Sequence, residues 1–556
     1  MKKVLPLFLF FLIFCSCGGQ GNANDNVLVG KQNETNSRPK LVVGIVVDQM
    51  RYDYLTRFES KFGEGGFIRL INEGFNCKNN HFNYVPTYTG PGHASVYTGT
   101  TPKYHGIISN NWYDKEIKSS VYCAQDDEVS SVGTESSAGK MSPQRMLTTS
   151  FADENRLFTQ MRGKTIGIAL KDRGAILPAG HTANTAYWFH GKDEGVWITS
   201  SYYRKDLPKW VSDFNSSDAV ESYLKVWNTS LPVDTYIESG EDQNDFERGF
   251  KGKSTATFPY DLAALSSQNG GFDILKTTPY GNSITMDFAL AALKGEALGQ
   301  DDDTDVLAIS FSSTDYVGHN FGVNSKEVED TYIKLDEDLE RLFNTLDSYV
   351  GKGEYTVFLT ADHGAVNVPA YLQSVKIPAG YLDNNSRKAL FQKFLMDAYG
   401  TTELVENVSN NQIFLNKVKL KELDLNIHDV EQALVDEQIS YPNIAKVYTA
   451  TTMNSTNFTT GIEVLLQNGY NQKRSGDVIV VDDIAHISYS IKGSTHGSGL
   501  NYDTHVPLLF FGAGIRQGET FDKTVIPDIA PTISALLGIS FPNGATGRPL
   551  GFVLIR

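Results

Sequence analysis

The amino-acid sequence predicts an α/β fold, a mostly parallel central sheet flanked by helices, with two insertions on that core. Three observations predict it. Short apolar runs of strand length, rich in Val and Ile, recur along the chain. Segments with helical apolar spacing alternate with them, as in a sheet built from crossover units. Residues with metal-ligand or phosphate-binding chemistry cluster just beyond several of the runs, where ligands of open parallel sheets bind.

The chain begins with Met1-Lys2-Lys3 and an almost unbroken apolar run, Val4 to Phe14. That run is too short to span a bilayer comfortably and reads as an export signal. It ends Phe14-Cys15-Ser16-Cys17-Gly18-Gly19. Residues 1–17 are read as a signal peptide, either cleaved for plain secretion or of lipoprotein type with Cys17 acylated. Residues 18–39 are poor in apolar side chains and are expected to form a flexible linker. Residues 40–556 form the catalytic-size domain, interrupted by insertions at about 200–281 and 366–472. The expected location is the periplasm or the outer membrane, with membrane contact only through the lipid.

Lys40–Val47, Thr165–Leu170, Asp305–Phe311, Tyr355–Thr360 and Val506–Phe511 are the strand candidates, read as parallel and buried. The clearest helix covers Val328 to Leu346, where Val328, Tyr332, Leu335, Leu339, Leu342 and Leu346 recur at three- and four-residue spacing. Others cover Ser283–Leu298 and Pro531–Leu537, the latter followed by Gly538. Cys77 and Cys123, an even pair in an exported chain, are expected to form a disulfide. The net charge of −16 excludes a general nucleic-acid binder. It permits an anionic substrate wherever bound cations reverse the local field.

Pro86-Thr87-Tyr88-Thr89-Gly90-Pro91-Gly92-His93 places a hydroxyl at the mouth of a helix. Helix N-termini suit phosphate-like anions, so Thr89 is a candidate nucleophile. Taken alone, it is better explained as an N-cap. Six further residues change that weighting. Asp48 ends the first strand, Asp315 and His319 follow the third, Asp362 and His363 follow the fourth, and His496 precedes the last. Three carboxylates and three imidazoles can hold two divalent cations, with zinc the best match and manganese or iron also compatible. Lys171 and Arg173 follow the 165–170 strand. Two apart in an extended chain, they would point to one side and grip phosphate oxygens.

These motifs, in order, resemble the alkaline phosphatase superfamily, near its type I phosphodiesterase/nucleotide pyrophosphatase branch, and most of all the PafA-type bacterial alkaline phosphatases. The resemblance rests on Asp48-Gln49-Met50-Arg51, Pro86 to His93, Tyr97 to Pro102, His105-Gly106-Ile107, Asp362-His363-Gly364 and Pro527 to Thr532. It implies one zinc held by Asp315, His319 and His496, and another by Asp48, Asp362 and His363 with Thr89 against it. It also implies that Asn110, Lys171 and Arg173 bind the phosphoryl oxygens. The expected activity is hydrolysis of small phosphate monoesters through a phosphothreonine on Thr89, by a monomer. The alternatives are diester or pyrophosphate cleavage at the same site and, more remotely, a non-catalytic surface binding protein. His93, His105, His181, Asp503 and His505 are read as structural or supporting groups. No Cys-x-Pro-x-Arg signature argues for a sulfatase.

Overall fold

The computed structural model describes residues 27–29 and 38–555. The leader, Cys17 and most of the 18–39 linker lie outside the described residues. Within that linker, Val27–Val29 pairs antiparallel with the strand Gly518–Val525. These three residues are therefore a sheet edge rather than tether.

Among the described residues the main sheet has eleven strands. Its centre is parallel. β1 (Leu41–Val47) lies between β3 (Asp305–Phe311) and β4 (Tyr355–Thr360), β2 (Thr165–Ala169) lies beyond β3, and Thr185–His190 lies beyond β2. Every residue of β1, β3 and β4 is buried, because helices cover both faces of the sheet. The register sets Val47 opposite Phe311 and Val46 opposite Thr360. The carboxyl ends of these strands are thus level, and the segments that leave them meet at a single rim.

The 506–511 run corrects an expectation. β5 (Leu508–Gly512) runs antiparallel to β4, with Leu508 opposite Thr360. This reversal explains how His496 reaches the site. Residues before an antiparallel strand lie at the same rim as residues after its parallel neighbours.

The helices follow their apolar spacing. Lys326–Leu346 buries Val328, Tyr332, Leu335, Leu339, Leu342 and Leu346 and is capped by the Ser325 hydroxyl. Pro279–Gly295 starts before the expected Ser283 and ends before Leu298. Ile529–Leu537 ends on Gly538 at φ 60°, the left-handed conformation glycine adopts at helix ends.

The segment after Ser200 is short helices and turns around a two-stranded pair, Val226–Trp227 with Tyr260–Asp261. Its aromatic content has a packing reason. Trp227, Phe250 and Tyr260 close over Phe321, which belongs to the helix carrying two site residues. The second irregular stretch contains a four-stranded sheet in the order Val405–Ser409, Gln412–Leu415, Val478–Asp482, Ile444–Thr449. Helices Asn384–Tyr399 and Ile427–Gln438 supply its separate apolar core. Its strand at 478–482 lies beyond the expected limit at residue 472.

The expected disulfide is absent: Cys77 and Cys123 are both buried free thiols. Cys77 sits in the main core and Cys123 in a second apolar cluster, so each thiol is enclosed by different neighbours. Burial pushes the Cys123 thiol up to about 12.

Candidate active site

Three loops and three helix starts converge at the rim. α1 (Thr89–Thr98) begins with Thr89 itself, while Tyr88 holds the cap position without a side-chain bond. Thr89 is therefore the first helical residue and not its cap, which leaves its hydroxyl uncommitted to the helix. α1 can approach so closely because Gly92 has no side chain. A Cβ there would lie 2.3 Å from the Asp362 carbonyl oxygen. The Gly90 N–H donates to Asn110 Oδ1 at 2.7 Å. This contact fixes the Asn110 amide beside the helix start.

α2 (Asp172–Ala179) follows β2, with Lys171 at its cap position. The expected extended Lys171–Arg173 segment is therefore not extended throughout: Lys171, two residues past the strand, is extended at the cap position and Arg173 lies in the first helical turn. Both still face the site. Lys171 Nζ lies 2.6 Å from Asp48 Oδ2 and 2.5 Å from Asp315 Oδ2. Burial works to lower the Lys171 pKa, but the two carboxylates outweigh it and hold it above the usual lysine range. Arg173 Nη2 lies 3.5 Å from Thr89 Oγ1.

α3 (Ser313–Phe321) carries Asp315 and His319 four residues apart on one face, with His319 Nε2 3.2 Å from Asp315 Oδ1. His496 Nε2 lies 3.7 Å from the same oxygen. Across the site, His363 Nε2 is 3.6 Å from Asp48 Oδ1, 3.4 Å from Asp362 Oδ2 and 3.5 Å from Thr89 Oγ1. The His363 and His496 rings stack at 3.4 Å between centroids. Two compact donor groups result: Asp48, Asp362 and His363, and Asp315, His363 and His496. His319 adjoins the second through Asp315.

The donor chemistry fits divalent cations. Each of the three histidines directs Nδ1 at a backbone carbonyl: His319 to Ser494 at 2.7 Å, His496 to Thr87 at 2.7 Å and His363 to Gly364 at 3.0 Å. That pattern fixes the tautomer and leaves Nε2 free as a lone-pair donor. Burial lowers the pKa of His363 and His496, which favours the neutral ring a metal requires. Asp48 Oδ1 and Asp362 Oδ2 are buried without any hydrogen-bond partner among the described residues. Unpaired carboxylate oxygens are costly in a protein interior unless a cation meets them.

Supporting groups hold these donors. His93 bridges the Thr89 carbonyl at 2.9 Å and Ser310 Oγ at 2.8 Å. Its Nδ1 also lies 3.4 Å from Asp362 Oδ2. His105 bonds Ser95, and His505 bonds the Lys78 carbonyl, both away from the donor groups. His181 meets Tyr202 through its backbone oxygen. Asp503 accepts from Gly497 N, Ser498 N and Ser498 Oγ at 3.1, 2.7 and 2.6 Å, and its own carbonyl accepts from Gly364 N at 2.8 Å. It therefore ties the loops of His496 and His363 together.

Two contributors escaped the sequence reading. Gln49, at φ 66°, donates its backbone N–H to Asp362 at 3.0 Å and its amide to Asp315 at 2.6 Å. Tyr122 donates to Asp172 and accepts from Arg173 Nη1 at 3.1 Å. Gln49 stood beside a flagged aspartate. Tyr122 carried no signal, since its contact spans some fifty residues of chain.

Level strand ends, two adjoining carboxylate–imidazole groups and a helix-borne hydroxyl define a hydrolase-type site built to hold cations. The chain belongs to the type I phosphodiesterase / nucleotide pyrophosphatase family, whose model matches residues 42–505. It is 45% identical over 523 residues to alkaline phosphatase PafA of Elizabethkingia meningoseptica, covering 93% of this chain and 95% of that protein. The crystal structure of wild-type PafA superposes with a TM-score of 0.90, covering 94% of this chain and 100% of that one. A Myroides odoratus protein named calcium-transporting ATPase is 44% identical over 524 residues, covering 93% of this chain and 95% of its own. Alkaline phosphatase PhoV of Synechococcus elongatus is 42% identical over 553 residues, 99% of each chain. No helix among the described residues is long and apolar enough to cross a membrane.

Proposed function

We propose that this chain is an exported alkaline phosphatase that hydrolyses small phosphate monoesters at a two-zinc site, through a phosphothreonine on Thr89. The observation that carries the reading is the position of Thr89 Oγ1, 3.5 Å from both His363 Nε2 and Arg173 Nη2. An attacking oxygen is thus flanked by a ligand-type nitrogen and a phosphate-binding cation. The names of PafA and PhoV support the same activity.

Asp48, Asp362 and His363 would hold one zinc, and Asp315, His319 and His496 the other. When bound, the cations lower the pKa of the Thr89 hydroxyl and offset charge on the reacting oxygens. The chain's own groups do the rest. Arg173 and Lys171 take the non-bridging oxygens of the dianion, Arg173 in bidentate fashion and Lys171 as a point charge. The Asn110 amide donates to a third position. Thr89 Oγ forms its bond to phosphorus as the ester P–O bond breaks, and the alcohol leaves with a proton. Water then attacks the phosphothreonine, its P–O bond to Thr89 breaks, and phosphate and the free hydroxyl are regenerated. Two in-line displacements retain configuration at phosphorus.

Diester or pyrophosphate cleavage is the second reading, favoured by the description of the family model. Rates on an aryl phosphate monoester and the matching diester separate the two, with the monoester expected to be faster. Acid-quenched enzyme is expected to carry phosphate on the Thr89 peptide by mass spectrometry, and an unmodified peptide at every quench time would refute the intermediate. The leader and Cys17 direct the chain to the periplasm or anchor it there by lipid, and the enzyme acts as a monomer.

A further inference from the structure

A cleft of ≈ 500 Å³ opens beside the donor groups. One wall belongs to the site: Tyr88, Thr495 and His496 line it. The facing wall comes from the second irregular stretch, through Ile462 and Leu465 of α4 (Gly461–Gly469) and Ile479 and Val481 of the small sheet. The volume is that of a small-molecule pocket.

The cleft's position relative to the attacking atom gives it a role. In-line displacement sends the leaving group away from the nucleophile. Thr89 Oγ1 lies 3.5 Å from His363 Nε2, and the zinc assignment proposed above counts His363 with Asp48 and Asp362. The departing alcohol therefore lies toward Asp315, His319 and His496, and His496 is a wall of the cleft. Tyr88, edge-on to His496 at 5.6 Å, lines the cleft beside it.

The lining also selects. Its apolar groups include Val85, Ile462, Leu465 and Val481. Lys446 is paired with Glu463 at 2.5 Å, and Asp482 with Arg387 at 2.7 Å. Asp483 adds a further carboxylate to the lining. With Lys446 and Asp482 each held in an ion pair, a polyanionic group would find no unpaired lysine or arginine in the lining and would meet the Asp483 carboxylate, whereas an uncharged aromatic or aliphatic group would bury apolar surface.

We propose that this cleft is a leaving-group subsite, which binds the organic part of the phosphate monoester and favours a bulky, uncharged, apolar group over a small or polyanionic one. The inference rests on the monoesterase reading of the same site.

The test compares kcat/KM for 2-naphthyl phosphate and phenyl phosphate, whose leaving alcohols have similar acidity, in the wild type and in Ile462→Trp and Val481→Trp. The wild type is expected to favour the naphthyl ester by roughly tenfold, the scale of one added ring's burial. Each tryptophan, by filling the cleft, brings that ratio toward one. Because a ratio is read within each variant, partial misfolding cancels. A parallel titration of non-hydrolysable 2-naphthylmethylphosphonate into Thr89→Ala is expected to bind about tenfold more weakly when Ile462→Trp is added. A wild-type ratio near one, or ratios and affinities untouched by both substitutions, overturns the subsite. Failure of the underlying reading looks different: neither phenyl nor naphthyl phosphate is hydrolysed, or Thr89→Ala turns over as fast as the wild type.

Discussion

The two donor groups are built from similar residues but sit in different surroundings. Asp48, Asp362 and His363 have fully buried side chains. The His319 side chain is 26% exposed and that of His496 6%, and His496 borders the cleft. The buried group follows two central strands directly and touches α1 backbone to backbone. The more open side, Asp315, His319 and His496, is drawn from a helix face and from the long loop before β5, and shares the buried His363 with the other group. The comparison teaches that the end of the site where a bond must be aimed is packed like a core, while the end through which varied alcohols would leave is assembled from separate and more exposed segments.

The largest expected effect breaks both groups at once. Prolonged chelation abolishes turnover and zinc restores it, and metal analysis during the process sharpens the contrast. The open group is expected to empty first, giving a plateau near one zinc per chain; simultaneous loss of both would make the two groups equivalent. Next comes Thr89→Ala, which lowers kcat by about 10³-fold or more while metal content stays at the wild-type value. Retained activity would detach the buried group from the chemistry. Lys171→Ala with Arg173→Ala is expected to cost about 100-fold on monoesters and far less on diesters, measured as kcat/KM on matched aryl esters. Equal losses would mean that these cations do not read the dianion.

Asp503→Asn probes the tie between the groups. Burial raises the Asp503 pKa to about 7, against the pull of its Ser498 and Gly497 donors. The amide cannot accept from three donors on one oxygen as well as a carboxylate does, so about a tenfold loss in zinc affinity is expected, confined to the open group. The smallest effect belongs to Tyr122→Phe, which removes one partner of Arg173 and should raise KM by about fivefold with kcat little changed. A change in kcat alone would place Tyr122 in a different role.

Much of this site could be read before folding was considered. Asp48, Asp315, Asp362 and His363 each lie within a few residues of a strand end, so a strand prediction also predicts their rim, and His319 follows one helical turn after Asp315. His496 was visible only as a histidine near a strand; its location depends on the antiparallel direction of β5, which apolar composition does not encode. Lys171 and Arg173 were found on the assumption of an extended chain, and they converge although α2 begins between them. Tyr122, Gln49 and the cleft were hidden because they depend on contacts between distant segments. The cysteine pair misled for the same reason: an even count says nothing about which core each thiol enters.

Gly92 carries a last consequence. With the α1 backbone resting on the Asp362 carbonyl, the interval between the attacking oxygen and its neighbouring ligands is set by a missing methyl group. Nothing larger fits there without prising the helix from the loop, so this interval has no room to drift as the sequence diversifies. Under the leaving-group reading, changes of substrate preference fall across the site, on the face supplied by α4 and the small sheet. The molecule thereby separates a fixed anvil from an interchangeable jaw.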